Sequence, residues 1–224
     1  MKKYAIIVAG GAGKRMGSIL PKQFLLIKGK PILYYTINAF IKAYHDIEII
    51  IVLPEEYLEM GKEIVDGYFD KHRIQLTAGG DTRFHSVQNG LKLVMEESII
   101  FVHDGVRCLV SSELIHRSYA CAIENGSAVP VTECKDSVRI ITESGNDPID
   151  RGKLRLVQTP QTFHSKILLP AFQIDYKERF TDEANVVEAF GLKVYLVEGE
   201  QTNIKITNPI DLIVAEKYLS ESEK

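Results

Sequence analysis

Cysteine is scarce in this sequence, and long apolar runs are missing. The 224 residues include three cysteines, Cys108, Cys121 and Cys134, an odd number without a C-x-x-C spacing. No two of the six histidines form an H-x-x-x-H pair. A disulfide framework and a zinc site are both disfavoured, and a reducing cytoplasmic setting fits best. No stretch approaches the ~20 apolar residues of a membrane span. The apolar run after Met1-Lys2-Lys3 extends only from Tyr4 to Ala9, too short for a signal peptide. A surplus of positive charge is missing too. The net charge is −3, so no long basic face is offered to nucleic acid, and any attraction for a polyphosphate must come from local cations.

Two common nucleotide motifs are also absent. Nothing matches the Walker pattern G-x-x-x-x-G-K-[ST]. The dinucleotide fingerprint G-x-G-x-x-G is replaced by Gly11-x-Gly13-x-x-x-Gly17, one residue longer. The second apolar run, Ile47 to Leu53, ends in Pro54 rather than in the acidic residue that would hold a ribose. Pro21 argues against a helix running straight out of the loop. A dehydrogenase reading is therefore weak.

What is present begins at the same place. Tyr4–Val8 is apolar and leads into Ala9-Gly10-Gly11-Ala12-Gly13-Lys14-Arg15-Met16-Gly17, then Pro21-Lys22. Glycines let backbone N–H groups approach a ligand, and successive N–H groups form an anion nest. Lys14, Arg15 and Lys22 add full charges. An ordinary strand-to-helix turn explains the glycines but not the three cations. A polyphosphate explains both.

The composition, 45% apolar and 25% charged, is that of a globular protein, and the length allows one generous domain or two small ones. Candidate strands are Tyr4–Val8, Ile47–Leu53, Ile74–Ala78, Ile99–His103 and Ala128–Val131. Candidate helices are Pro31–Tyr44, Glu55–Lys71, Thr82–Glu96 and Ser111–Asn125, the last with Gly126 as C-cap. Ile32, Tyr35, Ala39 and Ala43 are expected on one face of the first helix. Short apolar strands alternating with helices predict an α/β fold with a mostly parallel sheet covered on both faces. Ligands of such sheets sit at the carboxyl ends of the strands. That places residues 10–22, Gly79–Arg83 and Asp104–Arg107 on one rim.

Residues 132–161 are polar and lack a helical pattern. Ser137–Ile141 and Lys153–Val157 alternate, and with a turn at Ser144–Asp147 they read as a hairpin. A lone hairpin cannot bury its apolar face, so it either meets a dimer partner or folds back on its own domain. Further on, Thr181 is expected to cap a helix to Phe190, with Gly191 at its end. Lys193–Val197 and Asn203–Thr207 read as strands, and Pro209 as the start of the last helix.

Asp104 closes a buried strand. A carboxylate there suits Mg²⁺ or an Asx turn. Arg107 is placed to pair with it. His103 reads as a structural hydrogen-bonder, and Lys205, between Ile204 and Ile206, as a side chain turned away from their face.

These patches taken together resemble the nucleotidyltransferase superfamily, and one branch closely: the 2-C-methyl-D-erythritol 4-phosphate cytidylyltransferase family. The matching stretches are Ala9–Met16, Pro21-Lys22-Gln23, Gly79–Arg83 with Ser86, His103–Arg107, Gln158–Phe163, Thr181–Glu188, and Glu198–Thr207 with Pro209, Asp211 and Leu212. They run in order over nearly the whole chain.

The resemblance implies a Rossmann-like sheet of the nucleotide-diphospho-sugar transferase type and a single domain over residues 1–224. A β-arm at about 132–158 would project from it to make a homodimer. It implies CTP and a polyol phosphate as substrates, with Mg²⁺ as cofactor at Asp104. Arg15, Lys22 and Lys205 match cations around the CTP phosphates. Ala9, Gly10, Gly11, Gly80, Asp81, Ser86 and Gly105 match the nucleotide-holding positions, with Arg83 beside them. Arg107, Arg151, Thr159 and Thr181 match the acceptor side, and Arg151 on the arm would serve the neighbour's site.

Two departures stand out. The family's Asp-Ala-Ala-Arg-Pro reads Asp104-Gly105-Val106-Arg107-Cys108. Its Asp-Thr-x-Lys reads Asp136-Ser137-Val138-Arg139, where Arg for Lys is not neutral. The expected reaction is CMP transfer to methylerythritol phosphate. A ribitol 5-phosphate cytidylyltransferase shares most of these motifs and is the closest alternative. A UTP-dependent sugar nucleotidyltransferase and a non-catalytic nucleotide sensor are further ones.

Overall fold

The structure is a computed structural model that describes residues 1–11 and 20–221. Lys14 and Arg15 lie outside the described residues. The chain opens with β1 (Lys2–Val8), followed by the small hairpin β2 (Leu26–Ile27) and β3 (Lys30–Pro31). Alternation then sets in: α1 (Ile32–Ala43), β4 (Glu48–Leu53), α2 (Leu58–Tyr68), β5 (Ile74–Ala78), α3 (Arg83–Leu91), β6 (Ser98–Asp104), α4 (Ser112–Asn125) and β7 (Ser127–Glu133). The rest comprises β8 (Val138–Thr142), β9 (Gly145–Ile149), β10 (Arg155–Val157), β11 (Gln161–His164), α5 (Ser165–Ala171), α6 (Glu183–Ala189), β12 (Leu196–Glu198) and α7 (Pro209–Glu221).

The main sheet runs β10-β7-β11-β6-β1-β4-β5, with β12 also on β7. β6, β1, β4 and β5 are mutually parallel; β11 enters antiparallel beside β6. The apolar strand runs divide by parity, as a sheet covered on both faces requires. Ala5, Ile7, Ile49, Ile51 and Phe101 pack toward α1, α2 and α4. Tyr4, Ile6, Ile50, Val52 and Val102 pack toward α3, α5 and α6. A third, smaller cluster joins Ile27, Ile32, Val106, Cys108, Ile206 and Ala215. No helix among the described residues is long and apolar enough to cross a membrane.

Several expectations need correction. The buried face of α1 is Ile32, Leu33, Thr36, Ile37 and Phe40; Tyr35, Ala39 and Ala43 are only partly buried. Ser137–Ile141 does not pair with Lys153–Val157. β8 pairs with β9 through the two-residue turn Glu143-Ser144, while β10 pairs with residues 131–133 of β7. Alternation alone gave the strands but not the register, because the segments on both sides of 142–145 are polar enough to turn at either place.

The cap of α6 is Asp182, whose carboxylate accepts from the Asn185 amide at 2.9 Å, and not Thr181, which donates to the Asn185 side chain. Residues 203–207 form no strand; the backbone is held instead by contacts such as Ile206 N–H to the Val106 carbonyl. Pro209 does open α7, and the Asp211 carboxylate reaches back to the amides of Thr207 and Asn208 at 2.7 and 2.8 Å.

Candidate active site

The strand ends set the site. Val8 of β1 lies in register beside Asp104 of β6, and Leu53 of β4 beside Ala78 of β5. Each following loop keeps one more ladder bond: Ala9 N–H to the Val52 carbonyl, Gly105 N–H to that of Val8, and Gly79 N–H to that of Leu53. The three loops are thereby fixed on one rim. At Gly105 a Cβ would stand 2.8 Å from that of Ala9 and 3.3 Å from the Val8 carbonyl oxygen, so glycine lets the β1 and β6 loops sit this close, and the alanine of the family's motif would need a small shift of one against the other.

Between the loops lies a cavity of about 370 Å³, lined by Ala9, Gly10, Gly11, Gly80, Asp81 and Ser86 on one side and Lys22, Arg83, Asp104 and Lys205 on the other. Ser86, in the first turn of α3, accepts from the Gly80 amide at 3.1 Å and donates to the Thr82 carbonyl at 3.0 Å. Gln23 donates to the Ala9 carbonyl at 2.6 Å, and buried Lys22 donates to the Ile206 carbonyl at 2.9 Å. A smaller cleft of about 160 Å³ adjoins this cavity and is lined by Gln158, Thr159, Gln161, Thr181, Asp182 and Arg107. Arg83, Asp104 and Lys205 line both spaces.

Where the two spaces meet, three cations converge on one carboxylate. Lys205 Nζ is 3.0 Å from Asp104 Oδ2, Arg107 Nε is 3.4 Å from the same oxygen, and Arg83 Nη2 is 3.3 Å from Oδ1. Burial alone would raise the Asp104 pKa, but Arg83, Lys205 and Arg107 outweigh it and hold the carboxyl well below the usual range. Lys205 thus turns toward Asp104. Arg83 is also gripped by both oxygens of Glu183, a fully buried carboxylate at the start of α6. Burial disfavours the charge on Arg83, yet Glu183 and Asp104 more than compensate and raise its pKa above an already high value. Arg107 donates to the Asn203 carbonyl at 2.7 Å, tying the β6 loop to the segment that carries Lys205.

A neutral relay supports this centre. The Asp104 amide donates to Thr159 Oγ1 at 3.1 Å, Thr159 Oγ1 is 3.0 Å from His103 Nδ1, and His103 Nε2 is 3.1 Å from the Arg107 carbonyl. A carbonyl can only accept, so Nε2 carries the proton, Nδ1 accepts, and the Thr159 hydroxyl donates. Burial lowers the His103 pKa from 6.5 to about 4, consistent with an uncharged ring. Between pH 6.5 and about 4 the unfolded chain binds a proton that the native chain refuses. Stability is therefore expected to fall as pH drops through that window, by up to ~3 kcal/mol. Denaturant midpoints measured from pH 4.5 to 7.5 check this: His103→Gln should flatten the slope, and an unchanged slope would contradict the assignment. The Asp104 contribution fades only below the ordinary carboxyl range, so the two effects are separable.

Glu183, Gln158, Gln161 and Asn203 complete the scaffold. Gln158 bonds both the amide and the carbonyl of Glu200 at 3.0 and 2.7 Å, Asn203 donates to the Thr159 carbonyl at 2.8 Å, and Gln161 bonds the Ala184 amide and the Asp182 side chain at 2.8 and 3.1 Å. Sequence reasoning missed Glu183 as a site residue, since an acid after a cap reads as ordinary helix-start chemistry. The structure brings the other expected residues to the two spaces except three. Gly105 lines neither, its place being the contact between the β1 and β6 loops. Arg15 lies outside the described residues. Arg151 is exposed and donates to the Lys135 carbonyl, outside both spaces of its own chain. Arg139 is likewise spent within the β8–β9 hairpin, on Asn146.

The family model for 2-C-methyl-D-erythritol 4-phosphate cytidylyltransferase matches residues 4–221. The chain belongs to this family. A protein of that name from Bacteroides fragilis is 48% identical over 221 residues, covering 98% of this chain and all of the relative. One from Clostridium botulinum is 42% identical over 217 residues, covering 95% and 96%. Among solved structures, the 4-diphosphocytidyl-2C-methyl-D-erythritol synthase of Anaerococcus prevotii superposes with a TM-score of 0.83 at 30% identity, covering 98% of both chains. The 2-C-methyl-D-erythritol 4-phosphate cytidylyltransferase of Thermus thermophilus gives 0.76 at 31% identity, covering 98% and 100%. The mostly parallel α/β sheet of this cytidylyltransferase is thus that of its family.

Proposed function

We propose that this cytidylyltransferase transfers CMP from CTP to 2-C-methyl-D-erythritol 4-phosphate. The products would be 4-diphosphocytidyl-2-C-methyl-D-erythritol and pyrophosphate. The observation that carries this reading is the junction of the two spaces at Arg83, Asp104 and Lys205. CTP would occupy the glycine-rimmed cavity, with its base and ribose against Ala9, Gly10, Gly11, Gly80, Asp81 and Ser86. The acceptor phosphate would enter through the cleft at Arg107, Thr159 and Thr181.

One acceptor phosphate oxygen forms a bond to the α-phosphorus while the bond from that phosphorus to the β-phosphate oxygen breaks, and pyrophosphate leaves. The nucleophile is already an anion, so no side chain needs to remove a proton. The barrier is electrostatic, and fixed cations lower it. Lys22 and Lys205 would face the triphosphate, with Arg15 as a further cation. Arg83, locked by Glu183, holds positive potential at the junction without having to move.

Mg²⁺ fits this donor set. Among the described residues no cluster of three or more His, Cys, Asp or Glu side chains is placed to hold a metal. A single ionised carboxylate beside a phosphate cavity matches a cation that takes one or two carboxylates plus phosphate oxygens and water. Asp104 would hold it, and the ion would neutralise phosphate charge. Lys205, 42% exposed at its side chain, would then be released toward the phosphates.

The β8–β9 hairpin supports a homodimer. Its strands pair only with each other among the described residues, and Ile140 and Ile141 are 49% and 80% exposed. A partner subunit would cover them, and Arg151 would complete the partner's acceptor cleft. Mixing two inactive variants, Arg151→Ala and Lys22→Ala, should then restore activity, up to roughly a quarter of wild type when subunits exchange freely. No recovery after verified exchange would place Arg151 outside the partner's site. Three free cysteines accord with a reducing cytoplasm.

Pyrophosphate release with Mg²⁺ tests the substrate assignment. CTP with methylerythritol phosphate should turn over, whereas UTP, or CTP with ribitol 5-phosphate, should not. A preference for ribitol 5-phosphate would move the enzyme to CDP-ribitol synthesis.

A further inference from the structure

Two helices begin where the substrate spaces meet, one from each side. Arg83 opens α3, directly after Asp81 and Thr82, which line the nucleotide cavity. Glu183 opens α6, directly after Thr181 and Asp182, which line the acceptor cleft. These two first residues lie 100 apart in sequence and meet as a fork. Arg83 Nη1 donates to Glu183 Oε1, and Nη2 donates to Oε2 at 3.2 Å.

The fork fixes a direction as well as a charge. Paired N–H···O bonds orient the plane of a guanidinium, which a single contact does not. The bonds from Arg83 to Asp104 Oδ1 are longer, 3.3 and 3.4 Å, so Glu183 is the firmer anchor. The acceptor wall is tied to the same helix start. Gln161, in the cleft lining, donates to the Asp182 carboxylate at 3.1 Å and accepts from the Ala184 amide at 2.8 Å. Glu183 itself is buried and lines neither space, whereas Arg83 lines both. A carboxylate so placed meets the reacting groups only through Arg83.

We propose that Glu183 is a positioning residue for CMP transfer. Acting through Arg83, it sets the acceptor wall against the nucleotide cavity, so that the acceptor phosphate meets the α-phosphorus in line. The inference rests on the assigned reaction. Charge alone predicts the opposite sign. The cluster holds three cations, Arg83, Arg107 and Lys205, and two carboxylates, Asp104 and Glu183. Glu183→Gln keeps the shape and removes one negative charge, a change that by itself favours phosphates and the charge that builds during transfer. Misplacement of the guanidinium predicts a loss instead, since about 1 Å of misalignment can cost on the order of 10²-fold in rate.

Steady-state kinetics, calorimetric CTP binding and melting temperature test this together. Glu183→Gln should lower kcat about 10²-fold while its affinity for CTP holds. Glu183→Asp keeps the charge but draws it back by one methylene, and should lose kcat as well. In Arg83→Lys, which cannot form the fork, adding Glu183→Gln should change kcat little further, because the two residues act as one unit. Turnover is read with whichever acceptor the wild-type enzyme uses, methylerythritol phosphate or ribitol 5-phosphate, so a wrong acceptor leaves the comparison in place. A wild type inactive with both would end the assigned reaction and this proposal with it. Wild-type kcat in Glu183→Gln or Glu183→Asp, or a fully multiplied loss in the double variant, would overturn the role of Glu183 alone. A loss confined to melting temperature would do the same.

Discussion

Replacing Lys22 with alanine is expected to lower kcat by about 10²–10³-fold, the usual effect of removing one preorganised charge donor from a reacting centre. Lys22 sits in a three-residue 3₁₀ turn directly after Pro21 and is 9% exposed. Its ammonium is anchored on the Ile206 carbonyl, next to Lys205 in sequence, so the charge is in position before substrate arrives. The pyrrolidine ring of Pro21 fixes the entry to that turn. A positioned ammonium acts on the charge that builds on the α-phosphate as pyrophosphate leaves. Most of the loss should therefore fall on kcat and less on KM for CTP. Arginine should not rescue it, because a planar guanidinium does not fit a site that holds a point charge against one carbonyl. Turnover within a few-fold of wild type would remove Lys22 from the account. A loss confined to KM would make it a binding residue only.

Asp104→Asn is expected to have the second largest effect, on two readouts at once. The Asp104 side chain is 10% exposed, and its carboxylate neutralises part of the charge of Lys205, Arg107 and Arg83. Without it three cations face one another in a poorly hydrated place. Removing one partner of a buried ionic cluster costs on the order of 3 kcal/mol; Arg83, still held by Glu183, and half-exposed Lys205 set the lower end. The amide retains the shape, and the Thr159 relay, which bonds the Asp104 backbone, stays intact. Activity should fall, and the Mg²⁺ concentration needed for half-maximal rate should rise. A normal Mg²⁺ titration in a folded Asp104→Asn protein would place the metal elsewhere. Unchanged denaturant stability would mean that the four-residue cluster adds nothing to the fold.

Much of this architecture was legible in the residues. β5 was read to the residue, and β1, β4, β6 and β7 within three, because apolar runs bounded by Pro, Gly or Asp have little freedom. The rim followed from the strand order, and three cation-bearing loops did converge there. What the residues concealed was direction. Lys205 read as pointing away from Ile204 and Ile206, which was sound, but the segment is not a strand and the side chain ends on Asp104. Glu183 looked like helix-start chemistry until the fold set α6 beside α5 and brought Glu183 onto Arg83 at the start of α3. The faces of α1 were misjudged for a related reason. The helix is apolar over most of its surface and borders both the core and a separate cavity, so period alone could not say which stripe was deepest. The hairpin register failed because polar strands carry no burial signal to choose between alternative turns.

The most direct test of CMP transfer is the fate of oxygen in a single reaction. Methylerythritol phosphate carrying ¹⁸O at its non-bridging phosphate oxygens would be incubated with unlabelled CTP and Mg²⁺, and the products examined by ³¹P NMR and mass spectrometry. The account predicts that every label stays in the cytidine-containing product, one atom of it bridging the two phosphorus centres, and that pyrophosphate is unlabelled. Label in pyrophosphate, or CMP and pyrophosphate with the acceptor unchanged, would contradict it.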